Sequence, residues 1–297
     1  MMKAPLITLN NGVKIPALGL GVLGRETPEL VAPAVEKAIE TGYRLIDTAA
    51  SYGNERQVGE GIARSGIERS EMFVTTKLWL TQYGNGSALR GFDASLRRLG
   101  LDYVDLYLLH WPVPSDFEAT VQSYRAAEKL LKEGRARAIG VSNFSPVHLQ
   151  RLMEQVETVP AVNQIELHPL FSQQPAREAH ARLGILTEAW SPLGGSVRKV
   201  ADPNKSRDPL TNQTIGALAK KHGKTPAQIV LRWHIEHGTC AIPKSFTPAR
   251  IAENFTVFDF ELTSDEVASI DALNTDKRSG PDPENVHAKS FPITVED

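Results

Sequence analysis

The chain has 297 residues, of which 41% are hydrophobic and 23% are charged, a composition that suits one large α/β domain or two ordinary domains. Its 33 basic and 35 acidic residues nearly balance, which disfavours general nucleic-acid binding. The single cysteine, Cys240, excludes an internal disulfide and a multi-cysteine zinc site. The sequence shows neither a signal-peptide core nor an apolar run long enough for a membrane span. We therefore expect a soluble, cytoplasmic protein.

The first predicted element in the chain is a β-hairpin. Asn11-Gly12 lies between two short apolar runs and suits a tight turn. Short apolar runs typical of buried strands follow at residues 17–21, 44–47, 72–77, 104–110, 136–142, 161–165, 185–189 and 239–242. Amphipathic patterns typical of helices lie between them, for example at residues 30–40, 55–63, 88–99, 121–132, 149–156 and 214–221.

The alternation of strands and helices indicates a parallel sheet, because each parallel connection needs a crossover. An open doubly wound sheet and a closed (β/α)8 TIM barrel both satisfy this pattern. Eight units, the chain length and the lack of a linker favour the α/β barrel, as one domain over residues 1–297. Residues 194–209 are predicted to form a long loop after the seventh barrel strand, and the tail at 278–297 is expected to lie across one end of the barrel.

A glycine pattern in the first barrel strand resembles a dinucleotide-binding fingerprint. Residues 19–24 read GLGVLG, and the acidic residue Asp47 follows at a suitable distance. That fingerprint, however, requires a helix to begin within the glycines. Thr27 and Pro28 are instead typical of a helix N-cap and first helical residue, which leaves Gly24 outside the helix. We interpret the glycines as allowing a tight exit from the strand.

Ionisable residues terminate three successive barrel strands, at Asp47, Lys77 and His110. Their side chains should converge, because parallel barrel strands end at the same mouth, and Tyr52 on the following loop can join them. A carboxylate would hold the ammonium, and the ammonium would lower the pKa of the phenol, giving a tuned proton donor. A neutral histidine could orient a carbonyl oxygen. The alternative is a structural ion pair beside an unrelated core histidine.

A second candidate site lies near the end of the chain, where Thr247 and Pro248 are predicted to begin a helix. Arg250 then falls in the first turn, where the helix dipole disfavours a cation. A bound phosphate would remove that conflict. The alternative is an ordinary helix start with solvated charges.

The spacing of His234, His237 and Cys240 suggests a metal site, but Gly238 is a natural helix terminator between them. The three side chains need not share one face. We predict a solvated helix end and a packed thiol, and assign no metal.

Three sequence blocks carry a resemblance to a known family: RLIDTAASYGNE at residues 44–55, TKLW at 76–79 and DLYLLHWP at 105–112. The chain resembles the aldo-keto reductase superfamily from the hairpin to about residue 274, and is most similar to its bacterial 2,5-diketo-D-gluconate reductase type. The resemblance implies a catalytic tetrad of Asp47, Tyr52, Lys77 and His110, with the tyrosine as general acid. It also implies NADPH binding without a Rossmann fold.

The same resemblance assigns cofactor and substrate positions. Ser142, Asn143 and Gln164 match residues that bind the nicotinamide carboxamide, and Trp190 stands where the family commonly stacks a tyrosine on the nicotinamide. The remaining cofactor positions are Ser191, Pro192, Leu193 and Gly194 at the pyrophosphate, Lys244, Ser245 and Arg250 at the 2′-phosphate, Glu253 and Asn254 at the adenine, and Phe246 and Thr247 in the same segment. Substrate positions are Val22, Leu23, Trp79, His110 and Trp111, and Leu23 replaces a frequent tryptophan, which opens the pocket.

These observations predict NADPH-dependent reduction of aldehydes or ketones, with small aliphatic, keto-sugar or dicarbonyl substrates, by a monomer. A cofactor-sensing regulatory subunit on the same barrel is the rival hypothesis, and the complete tetrad argues against it. A barrel glycosidase or isomerase would need paired carboxylates or a phosphate-handling base, which Asp47 with Lys77 does not provide.

Overall fold

The computed structural model describes residues 4–194 and 208–295, in which strands and helices alternate along the chain. The strands are β1 (Leu6–Thr8), β2 (Lys14–Pro16), β3 (Leu20–Gly21), β4 (Leu45–Asp47), β5 (Phe73–Leu78), β6 (Val104–Leu109), β7 (Ala136–Ser142), β8 (Val162–Glu166), β9 (Leu186–Trp190) and β10 (Cys240–Ala241). The predicted loop at residues 194–209 falls almost entirely outside the described residues.

The helices cover the outside of the sheet. They are α1 (Val31–Thr41), α2 (Glu55–Arg64), α3 (Asn85–Leu99), α4 (Phe117–Lys132), α5 (Pro146–Met153), α6 (Gln174–Leu183), α7 (Gln213–His222), α8 (Pro226–Glu236), α9 (Pro248–Phe255) and α10 (Ser264–Asp271). None of the helices within residues 4–194 and 208–295 is long and apolar enough to cross a membrane.

The two sheets have the predicted arrangement. β1 and β2 form the antiparallel hairpin, and Gly12 in its turn has φ +84°, a conformation that favours glycine. β3 to β10 form one parallel sheet in sequence order. Parallel bridges from Leu18 to Ala241 and from Gly21 to Lys244 join its first and last strands. The sheet therefore closes on itself, which confirms the (β/α)8 fold.

One glycine of residues 19–24, Gly21, allows this closure. A Cβ on Gly21 would lie 2.8 Å from the main-chain oxygen of Ile242, so only glycine allows the first strand to approach the last so closely. The first helix begins beyond the glycines, because a 3-10 turn (Pro28–Leu30) with Thr27 at its N-cap precedes α1. The helix N-terminus that a Rossmann site would need is therefore absent from the glycine segment.

The two ends of the barrel are covered differently. At the end where the strands begin, hairpin residues Leu9 and Ile15 pack against the barrel interior, in a cluster that includes Leu106. At the other end, Val286 and Phe291 of the tail pack against a cluster that includes the tryptophans following β5 and β6. The tail thus lies across one end of the barrel, as predicted from the sequence.

Candidate active site

The ionisable residues at the strand ends meet at the end of the barrel where the tail lies. Asp47 is the last residue of β4, Lys77 lies in β5, and His110 directly follows β6. Lys77 Nζ is 2.5 Å from Asp47 Oδ1 and 5.2 Å from the centre of the Tyr52 ring. The rings of Tyr52 and His110 are 5.8 Å apart between centres. The structure therefore brings all four predicted residues into one cluster.

The Tyr52 loop is held in place by buried polar contacts. Tyr52 ends a 3-10 turn (Ala50–Tyr52), and Gly53 terminates it with φ +66°. Asn54 accepts a hydrogen bond from Thr48 Oγ1 at 2.7 Å and donates one to the main-chain oxygen of Val22 at 2.7 Å. These bonds tie the loop to the ends of the two preceding strands.

The Lys77 ammonium is fully buried and has two oxygen partners. Besides Asp47, it donates to the main-chain oxygen of Thr48 at 2.9 Å. Burial alone would lower the pKa of Lys77, but the Asp47 carboxylate raises it above its usual value. Lys77 therefore remains an ammonium at neutral pH, and the pair offsets part of the cost of burying each charge.

The pKa of Tyr52 corrects one expectation. The sequence argument expected the Lys77 ammonium to lower this pKa below its usual value near 10. Burial of the phenol instead raises it, and the Lys77 charge only offsets part of that increase. Sequence proximity showed the favourable charge but not the desolvation. The raised pKa keeps Tyr52 protonated, which is the form that a proton donor needs.

His110 lies between Tyr52 and two tryptophans. Its ring centre is 5.2 Å from that of Trp79 and 6.4 Å from that of Trp111. Burial, and then the Lys77 charge, lower its pKa well below the usual value, so the imidazole is neutral at neutral pH. A neutral imidazole can donate one hydrogen bond without a charge.

The predicted substrate residues fall into two groups. Trp79 and Trp111 are buried, and Phe291 of the tail packs on both, with ring centres 5.5 and 5.8 Å away. Val22 is buried beside β4 and donates its amide N–H to the Asp47 main-chain oxygen. Leu23 is 54% exposed, so an apolar side chain faces solvent at that position.

The predicted carboxamide residues form one hydrogen-bonded group. Ser142 Oγ donates to the main-chain oxygen of Gln164 at 2.8 Å, and Asn143 Nδ2 donates to that of His110 at 3.0 Å. Trp190 Nε1 donates to Asn143 Oδ1 at 2.9 Å. The indole thus gains a partner that fixes its orientation, and Asn143 links it to the main chain of His110.

The segment after β9 forms a tight turn. Ser191 has φ +49° and Gly194 has φ +70°, and the Gly194 amide donates to the Ser191 main-chain oxygen at 2.8 Å. The main-chain oxygen of Pro192 contacts His234 Nε2 at 3.2 Å, while Leu193 packs against the core. The four predicted pyrophosphate residues are therefore held together at one strand end.

The predicted phosphate segment surrounds the N-terminus of α9. Thr247 occupies the N-cap position and Pro248 the first helical position, as expected, and the Thr247 side chain makes no capping bond. Arg250 in the first turn and Lys244 are exposed, and Lys244 Nζ lies 4.1 Å from the centre of the Phe246 ring.

The remaining residues of this segment have protein partners. The Thr247 amide donates to Ser245 Oγ at 3.2 Å, and Phe246 packs against Gly24, where a Cβ would lie 2.5 Å from the ring. Glu253 accepts from Thr225 Oγ1 at 2.9 Å, and Asn254 is buried. Phe246 thus joins this segment to the loop that follows β3.

Two buried carboxylates were missed from the sequence. Glu188 in β9 accepts a hydrogen bond from Gln164 Nε2 at 2.7 Å, inside the barrel. Glu166 at the end of β8 accepts from the Ser279 hydroxyl and from the Gly280 amide at 2.9 Å, and so anchors the tail beside the site. A charge within or ending an apolar strand was the signal that could have identified both.

His234, His237 and Cys240 contact different groups. His234 Nδ1 lies 3.3 Å from Thr239 Oγ1, His237 Nε2 lies 2.8 Å from Asp271 Oδ1, and the Cys240 thiol faces the Pro16 main-chain oxygen at 3.3 Å. Across residues 4–194 and 208–295, no group of three or more histidine, cysteine or acidic side chains could hold a metal ion.

Comparisons with known proteins agree with this geometry. Residues 17–275 match the family described as Aldo/keto reductase family. The chain is 56% identical over 291 residues to morphine 6-dehydrogenase of Pseudomonas putida, covering 97% of this chain and 98% of that protein. It is 46% identical over 287 residues to methylglyoxal reductase DkgA of Escherichia coli K12, covering 96% and 98%. The crystal structure of a Bombyx mori aldo-keto reductase in complex with NADP superposes with a TM-score of 0.88 at 38% identity, covering 97% of this chain and 99% of that one.

Proposed function

Because the chain belongs to the aldo/keto reductase family, we propose that it reduces aldehydes and ketones to alcohols with NADPH, using Tyr52 as the proton donor. The observation that carries the proposal is the buried ion pair of Lys77 and Asp47 beside the Tyr52 phenol, with the neutral His110 imidazole next to it. A structural ion pair alone would not require a phenol and an imidazole at the same barrel mouth.

The residues that would hold the cofactor fit a phosphorylated nicotinamide dinucleotide. Ser142, Asn143 and Gln164 offer amide and hydroxyl groups suited to a carboxamide, and the half-buried Trp190 offers a flat face for a ring. At the other end, an exposed helix N-terminus stands beside the cations of Lys244 and Arg250, which suits a phosphate. These features support NADPH over NADH.

The chemistry assigns one role to each residue. NADPH, when bound, supplies the hydride that the carbonyl carbon accepts. Tyr52 gives its hydroxyl proton to the carbonyl oxygen, so that hydride and proton together convert C=O into CH–OH. The Lys77 ammonium stabilises the phenolate that remains, and Asp47 holds the ammonium in place. His110, neutral at neutral pH, donates a hydrogen bond that orients the carbonyl oxygen.

The predicted substrate residues favour small substrates. Trp79, Trp111 and Phe291 provide an aromatic wall, while Leu23 leaves one side less enclosed than a tryptophan would. Small aliphatic aldehydes, keto sugars and dicarbonyls are therefore the substrates that we propose. Two related proteins are named morphine 6-dehydrogenase and methylglyoxal reductase, so morphine, as an alcohol, and methylglyoxal, as a carbonyl compound, belong in the test panel.

The proposal is tested with wild type and Tyr52→Phe, by NADPH oxidation with the carbonyl compounds of this panel and by NADP⁺ reduction with the alcohol. We expect turnover to fall by roughly 10²–10⁴-fold in the variant, because the general acid is lost, while the NADPH dissociation constant stays nearly unchanged. Tyr103→Phe, which removes a hydroxyl just before β6 at the other end of the barrel, is the matched control. Full turnover by Tyr52→Phe would refute the proton-donor role, and a wild type that binds NADPH without turnover would indicate a cofactor sensor.

The preference for NADPH is tested separately with Arg250→Ala. Removing this cation should weaken NADPH binding more than NADH binding, since only NADPH carries the 2′-phosphate. Unchanged affinities for both dinucleotides would place the phosphate elsewhere.

A further inference from the structure

The side-chain amide of Gln164 lies between two buried carboxylates inside the barrel. Its Nε2 atom donates to Asp47 Oδ2 at 2.8 Å and to Glu188 Oε2 at 2.7 Å. Asp47, Gln164 and Glu188 are each at most 2% exposed. They belong to three different strands, β4, β8 and β9, so the contact is a feature of the closed barrel.

This arrangement decides which way the amide faces. A glutamine amide has two N–H donors on nitrogen and an acceptor oxygen on the other side. Both N–H groups of Gln164 are committed to carboxyl oxygens, and the reverse orientation would place its oxygen against the Asp47 carboxylate, which has no proton to donate. The carbonyl oxygen, Oε1, must therefore face away from both Asp47 and Glu188.

Glu188 can accept the hydrogen bond from Gln164 in either protonation state. Burial, and then the Asp47 charge, raise its pKa to about 7. The carboxylate accepts through both oxygens, and the carboxylic acid still has a carbonyl oxygen that can accept from Gln164. Glu188 also accepts a hydrogen bond from the Cys240 thiol on β10 at 3.5 Å, and the Lys77 ammonium on β5 acts on it through its charge. Neither competes for the Gln164 amide.

The side-chain amide of Asn143, by contrast, already has hydrogen-bond partners on both its nitrogen and its oxygen. Asn143 Nδ2 donates to Ser142 Oγ and to the His110 main chain, and Asn143 Oδ1 accepts from Trp190. Asn143 Oδ1 and Ser142 Oγ each already accept one hydrogen bond, so Gln164 Oε1 is the least committed acceptor oxygen of this group for a ligand N–H.

We propose that Glu188 is a positioning residue that, with Asp47, holds both N–H groups of Gln164, so that Gln164 accepts a hydrogen bond from the carboxamide N–H of the nicotinamide. The inference rests on the proposed function, because it assumes that this dinucleotide binds here. It predicts that recognition of the carboxamide N–H depends on an acceptor atom at position 188, which lies in the strand leading to Trp190.

The test compares two ligands in three proteins by isothermal titration calorimetry. The ligands are NADP⁺ and its 3-acetylpyridine analogue, in which a methyl ketone replaces the carboxamide and no N–H remains. We expect wild type to prefer NADP⁺ by roughly 10-fold, the value of one hydrogen bond. Glu188→Met, similar in length but without an acceptor, should lower the preference to about 2-fold or less. Glu188→Gln, which keeps an oxygen acceptor, should retain it.

The outcomes separate the two proposals. A Glu188→Met protein that keeps the wild-type preference, or a wild type that binds both ligands equally while catalysing NADPH-dependent reduction, would overturn the inference alone. A wild type that binds neither ligand would overturn the proposed function and the inference with it. If Glu188→Met does not fold, Glu188→Ala removes the acceptor by truncation and carries the same expectation.

Discussion

Replacing Glu188 with glutamine should change how the stability of the protein depends on pH. Glu188 is fully buried, and its pKa is raised from 4.5 to about 7, first by burial and then by the Asp47 charge. Between pH 4.5 and about pH 7, the folded protein therefore keeps a proton on Glu188 that the unfolded chain has released. The contribution of Glu188 to the free energy of unfolding is complete below pH 4.5 and is lost as the pH rises to 7.

The size of the effect follows from the difference in pKa between the two states. A shift from 4.5 to about 7 corresponds to about 3 kcal/mol at pH values above both. Glu188→Gln cannot titrate, and its amide keeps an oxygen acceptor for Gln164. The free energy of unfolding of the variant minus that of wild type should therefore rise by roughly 2–3 kcal/mol between pH 5 and pH 8.

Urea unfolding at fixed ionic strength, at pH 5, 6, 7 and 8, measures this difference directly. Tryptophan fluorescence and circular dichroism should give coincident transitions at each pH, so that a two-state free energy applies. Glu71→Gln, at an exposed position, corrects for the general effect of exchanging one carboxylate for an amide. A difference that stays constant from pH 5 to pH 8 would refute the reasoning.

Three further substitutions test other contacts. Lys77→Met should lower the free energy of unfolding in urea by about 3–5 kcal/mol, because it leaves the buried Asp47 carboxylate without its cation. A smaller loss at pH 7 would mean that the ion pair contributes little to stability. Gly21→Ala should cost at least about 1–3 kcal/mol in the same assay, because its Cβ would lie 2.8 Å from a main-chain oxygen, whereas Gly216→Ala, with open space around it, should not. Gly280→Ala should weaken NADPH binding in a fluorescence titration, because its Cβ would lie 2.5 Å from the Trp190 ring and displace it. Unchanged affinity would show that NADPH binding does not depend on the position of this ring.

The sequence sufficed for the barrel and for the convergence of charges at its mouth, because both follow from local patterns. Eight apolar runs predicted the strands, and the geometry of a parallel barrel then placed Asp47, Lys77 and His110 together. The pKa of Tyr52 could not be predicted in the same way, because its direction depends on how deeply the folded protein buries the phenol.

Glu188 and Glu166 were missed because their partners are distant in sequence. Glu188 contacts Gln164, 24 residues away, and Glu166 holds Ser279, 113 residues away. The hydrophobic pattern of residues within β8 or β9 cannot predict contacts with such distant parts of the chain. A buried charge in a strand shows only that some partner must exist, and the closed barrel determines which one.

The bridges between Leu18 and Ala241 and between Gly21 and Lys244 join parts of the chain that are far apart in sequence. Because closing such long loops costs the most chain entropy, we expect these contacts to form late when the barrel folds. The phosphate segment directly follows β10, and Phe246 in it packs against Gly24 beyond β3. While this seam is open, we expect the ion pair at the mouth to be able to form, but the residues proposed to bind the dinucleotide to be still apart. Recovery of NADPH affinity during refolding would then follow closure of the seam.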